Sequence, residues 1–140
     1  MRDVKTLIKM QKLYVDAQRK VLAARQRKAD ALQAAIAELR ARVESEKKNH
    51  AAQKEGGFIF GAFLRKEIDR HEDLQKALVL ANREIDVERE KLAVLFEELK
   101  RYEIIQENWD EEARAEEARV ETIDYDEQAG MRHHDRKDKS

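Results

Sequence analysis

Apolar residues return at every seventh position along most of this chain. One series runs Ile8, Val15, Leu22, Ala29, Ile36 and Val43. A second begins at Leu64 and continues through His71, Leu78, Ile85, Leu92, Leu99, Gln106, Ala113 and Val120. Its companion, three residues on, is Glu67, Leu74, Ala81, Glu88, Leu95, Tyr102, Trp109, Glu116 and Ile123. Sevens kept this long set one stripe of each helix against a partner and predict a supercoil. Gly56-Gly57 is the strong break between the two series. The expected fold is all-α: a long antiparallel two-helix coiled-coil hairpin over residues 1–129, its turn within 53–62, with a disordered C-terminal tail at 130–140.

Composition agrees. A chain of 140 residues is one domain at most, and 42% charged with 6% aromatic is too polar for a globular core. Disorder has similar polarity but does not keep apolar residues on sevens. With no proline, nothing forces a kink; with no cysteine, disulfides and thiolate metal sites are excluded. The first residues lack the apolar run of a signal peptide, and no stretch approaches the roughly 18–20 apolar residues of a membrane span. A soluble, cytoplasmic protein is expected.

Net charge is −1 but unevenly placed. Residues 1–55 hold 14 basic and 7 acidic side chains, and residues 56–131 hold 11 and 21. A basic first helix and an acidic second one attract when laid antiparallel, and this disfavours pairing of like helices in a parallel homodimer. It also argues against nucleic acid as a partner, since the basic face is offset by its own neighbour.

Helix one is expected from Asp3, as N-cap, to about Glu55, with Gly56 or Gly57 as its C-terminal stop. Helix two is expected from about Phe63 to Glu127. At 1.5 Å per residue they measure about 75–80 Å and about 95 Å. A turn near Gly56 places Val4 opposite Gln106 to Trp109 and leaves the chain after Asp110 as a single projecting helix. Residues 103–127, with 11 acidic and 2 basic side chains, carry −9. Gln11, Gln18, Arg25 and Glu88 fall on the seam, with Arg25 and Glu88 within about a layer of each other. They read as a register pin, or else as a point where the coil can bend.

Three of the four phenylalanines lie at the hairpin tip, between Gly57 and Leu64. They either plug the end of the coil or form an exposed patch. Phe63, next to seam residue Leu64, is expected to pack, and Phe60 to be the more exposed. Tyr102 and Trp109 lie on the seam where helix one has only begun. They close the open end of the core, or anchor a partner. No phosphate-binding loop, nucleophile elbow or zinc-binding HExxH is present. The acidic pairs lie on solvated faces, and His133-His134 stand in the tail. No catalytic residue, metal or cofactor is expected, and no enzyme activity.

The run Glu97-Glu98-Leu99-Lys100-Arg101-Tyr102-Glu103, the ending around Asp124-Tyr125-Asp126-Glu127 and the basic His-containing tail resemble the flagellar export protein FliJ and its type III secretion stalk relatives (YscO-like). The resemblance spreads over most of the chain and is strongest in the second helix. It implies a non-enzymatic stalk or adaptor of the export apparatus, monomeric when alone. Such a protein enters and promotes the export ATPase hexamer, meets the cytoplasmic domain of the export gate and escorts export chaperones. Its contact with the membrane runs through those partners. By the same resemblance Phe60, Leu64 and His71 match a gate-contact surface near the tip, with Glu67 standing where the family has a small residue. Tyr102 and Trp109 fall at the ATPase end. The alternative is a generic cytoplasmic coiled-coil adaptor or scaffold unrelated to secretion. A prefoldin-like holdase needs strands that residues 58–63 are too few to supply.

Overall fold

The computed structural model describes residues 3–52 and 57–138. The described chain forms two helices, α1 at Lys5–Ala52 and α2 at Gly57–Asp138. Both are free of proline and rich in Ala, Leu, Glu, Lys, Arg and Gln, the residues that lose least on entering a helix. Asp3 caps α1 as expected, its Oδ1 accepting from the Lys5 backbone N–H at 3.3 Å. The Val4 carbonyl accepts the first intrahelical bond, from Ile8 N–H at 2.9 Å.

α2 begins earlier than the sequence suggests. Gly57, a candidate stop for α1, is the first residue of α2, and Phe58 to Phe63 are helical rather than part of a turn. The heptad gives the reason: Phe60 stands seven residues before Glu67 and continues the seam backward by one repeat. The rest of the expected turn, residues 53–56 with Gly56 among them, lies outside the described residues.

The chain divides into two units. In Tyr14–Leu95, Ala29, Ala81 and Ile85 form one buried cluster, flanked by Leu22, Leu32 and Leu78. Ile36, Leu39 and Leu74 form a second, flanked by Leu32, Ala35, Val43 and Leu78. Rising positions on α1 meet falling positions on α2, so the helices run antiparallel. Alanine at both 29 and 81, the latter only 1% exposed, lets the two backbones approach closely. Between these clusters and Leu95 the seam turns polar. Gln18 Nε2 donates to Glu88 Oε2 at 2.5 Å and to the Glu88 carbonyl at 3.1 Å. Arg25 does not take Glu88 as its ion-pair partner; its Nη1 pairs with Glu84 Oε2 at 3.6 Å. Gln18 is the closer partner: its neutral amide reaches the Glu88 backbone carbonyl and one carboxylate oxygen without bringing a second charge into the seam.

The second unit joins Met1–Leu13 to Phe96–Ser140. Gln11 and Leu99 are buried, and Gln11 Nε2 donates to Glu98 Oε2 at 3.2 Å. At the start of α1 the Val4 backbone N–H donates to Gln106 Oε1 at 2.7 Å, which puts Val4 opposite Gln106 as the expected register requires. Beyond Trp109 every residue described through His134 is exposed. The seam series continues there through Ala113, Glu116, Val120 and Ile123, all exposed, with Asp3 and Lys5 beside only the first two of them. The backbone stays helical through Gly130 to Asp138, past the end expected near Glu127. Local hydrogen bonds and pairs such as Arg119–Glu116 at 2.7 Å support that stretch, without a buried face. The projecting stretch therefore stands near the helix–coil balance.

Candidate partner-binding surfaces

At the tip, the helical backbone from Gly57 sets Phe60 and Phe63 inward and sends Phe58 and Ile59 outward. Phe60 stacks on His50 in the last turn of α1, with ring centroids 4.2 Å apart and planes 7° from parallel. Phe60 and Phe63 stack at 6.4 Å. Both are half-buried: Phe63 packs as expected, and His50 covers one face of Phe60. The accessible apolar surface is instead Phe58, 89% exposed, and Ile59, 75% exposed. The plug and the patch are both present, made by different residues. Carrying the heptad back from Glu67 would have separated them from sequence.

Leu64 and His71 come together in an open groove of about 480 Å³, which Phe60 does not line. Leu39, Val43 and Lys47 contribute from α1, and Glu67, Ile68 and Glu72 from α2. Glu67, the departure from the family pattern, is buried and accepts from Arg42 Nη2 at 3.0 Å. Its carboxylate thus joins α2 to α1. The Nε2 of His71 is buried with no hydrogen-bond partner.

At the open end, Tyr102 and Trp109 are half-buried. Trp109 lines a groove of about 570 Å³ with Asp3, Lys5, Gln106, Asp110, Glu112, Ala113 and Glu116. Tyr102 does not. Gln106 organises the site: its oxygen takes the Val4 N–H, and its Nε2 donates to Asp110 Oδ1 at 2.9 Å. A seam glutamine of α2 therefore caps α1, satisfying an N–H that the first turn of a helix leaves without an intrahelical partner. Its place in the seven-residue series was legible in the sequence; its capping role needed the register. Together the two grooves offer apolar contact with charged borders, which suits docking of another polypeptide.

The electrostatics of the seam centre on Glu88. The Gln18 hydrogen bond holds its carboxyl below the usual 4.5 against the opposing effect of burial, with Lys91 and then Arg25 adding to the lowering. Among the described residues no group of three or more His, Cys, Asp or Glu side chains is placed to hold a metal ion. No described helix is long and apolar enough to cross a membrane. No family model, curated protein or solved structure matches this chain.

Proposed function

We propose that this chain is a non-enzymatic stalk or adaptor of a type III protein export apparatus of the flagellar kind, acting on the export ATPase ring, the export gate and export chaperones. The observation that carries this reading is the continuation of α2 past Trp109 as a helix whose described residues are exposed through His134. Beside it lies a half-buried tryptophan in a groove with four carboxylate residues. A single acidic helix joined to a two-helix base can reach into a ring and meet basic surfaces there, and such contact weakens with salt. The tip groove with Leu64 and His71, and the exposed Phe58 and Ile59 near it, suit the gate. The work asked of the chain is reach and contact, for which neither groove needs to exclude water.

Deleting residues 110–140 tests the reading. Hexamer formation and ATP turnover of the cognate export ATPase are measured with the full and truncated chains, at low and high salt. The full chain is expected to stimulate both at low salt and less at high salt. The truncated chain, its seam intact, is expected to stay folded and to stimulate neither. Full stimulation by the truncated chain, or none by the intact one, favours the generic coiled-coil adaptor.

A further inference from the structure

The seam accounts for one stripe of α2. A second apolar stripe faces outward. Leu80, Val87 and Val94 recur at seven-residue spacing and are 57%, 50% and 54% exposed. Glu84 and Lys91 stand between them at steps of four and three residues, which keeps all five on one helical face. Leu80, Glu84 and Val87 line a shallow groove of about 270 Å³. On α1, the exposed Tyr14 and Val21 lie in line with Lys28, again at sevens. Lys28 Nζ reaches Glu84 Oε2 at 3.4 Å, so the two outward lines border the same side of this unit. Single exposed apolar residues are ordinary, but a contiguous stripe marks an interaction surface.

The stripe on α2 has near-mirror symmetry about Val87. Seven positions to either side stand the apolar Leu80 and Val94, with an acid, Glu84, three before and a base, Lys91, four after. A two-fold axis at Val87 sets Val87 against its own copy and Leu80 against Val94. Within one residue, it also sets Glu84 against Lys91. Isologous interfaces require this self-complementarity. A parallel arrangement would instead set Glu84 on Glu84 and Lys91 on Lys91. We propose that this flank binds a second copy of the chain, α2 antiparallel to α2 about Val87. Within one chain Glu84 pairs with Arg25 and Lys28, and Lys91 with Glu88 at 3.5 Å. Glu84 and its partners are part-exposed, and so is Lys91, whereas Glu88 is buried and keeps its hydrogen bond from Gln18, so a second copy can engage Glu84 and Lys91 without stranding a charge. The monomer expected from sequence followed from the seam alone, which does not include this stripe. The inference stands apart from the export reading, because it concerns self-association of the free chain with no other component.

Analytical ultracentrifugation over a concentration series into the high micromolar range is expected to show a monomer–dimer equilibrium. Val87→Lys sets two like charges on the axis and is expected to weaken the dimer by about tenfold or more. Its helicity and melting temperature at low concentration are expected to match wild type, because Val87 is half exposed. Ile104→Lys, at an equally exposed apolar position off the stripe, is expected to leave the dimer unchanged. The natural chain has no cysteine, so orientation can be read by cross-linking. Val87→Cys alone is expected to form a disulfide dimer on mild oxidation, and Leu80→Cys alone is not. A mixture of Leu80→Cys and Val94→Cys chains is expected to cross-link. A wild-type monomer at every concentration overturns the proposal and leaves the flank to a helix of another protein. Cross-linking of Leu80→Cys with itself as readily as Val87→Cys overturns the antiparallel axis.

Discussion

His71 sits on the same stripe as Leu64, Leu78 and Ile85, and one nitrogen sets it apart from them. That nitrogen is buried and unpaired, a condition that costs about 1–3 kcal/mol. His71→Leu fills the same position without the penalty, so it is expected to raise the melting temperature. If the groove also binds the gate, the same variant is expected to bind it more weakly, which separates stability from binding at one residue. A lower melting temperature would show that the imidazole has a stabilising role after all. Glu88 bears on acid stability. Its folded-state value is depressed below 4.5, so its contribution is present above the unfolded value and is lost as pH falls through the folded one. The stability difference between wild type and Glu88→Gln is therefore expected to shrink as pH falls below about 4.5. Chemical denaturation at a series of pH values measures it, and a difference constant from neutral to acid pH would remove Glu88 as its source. The polar seam positions were legible from the heptad. Their pairings were not, because whether Gln18 or Arg25 reaches Glu88 depends on offsets of a single layer.

At the scale of the helices, the stability of this fold lies in a thin seam. Leu39 is buried in the centre of a cluster, and Leu39→Ala is expected to cost about 2–4 kcal/mol. Leu22, Leu92 and Leu95 are half-buried on the same seam and are expected to cost less, because solvent already takes part of their surface. Lys76→Ala, on the exposed face, is expected to cost little. Thermal melts of the series decide it, and equal losses at Leu39 and Lys76 would reject the assigned face. The inward stripe was legible because a seven-residue period leaves little choice of face over six or more repeats. The start of α2 was harder to read: its glycines and its dense apolar run look like a turn when judged by composition. They become a helix only when Phe60 is placed one heptad ahead of Glu67, where it can reach His50.

Across the whole molecule, charge has a smaller part in pairing the helices than the opposite signs of the two halves suggest. Residues 110–131 hold 9 acidic and 2 basic side chains, and α1 begins beside Gln106, before they start. Residues 57–109 carry only 12 acidic against 9 basic. The melting temperature is therefore expected to change little between low and high salt, since apolar burial holds the seam. A steep fall with salt would return the pairing to electrostatics. The sequence alone determined the two helices, their shared stripe and their antiparallel order, because these follow from a repeat, a break and a chain long enough to fold back. Only the tertiary structure decided which side chains satisfy one another: His50 over Phe60, Arg42 on Glu67, Gln106 capping α1. Each of these depends on the axial offset between helices, and a period of seven specifies a face without specifying that offset.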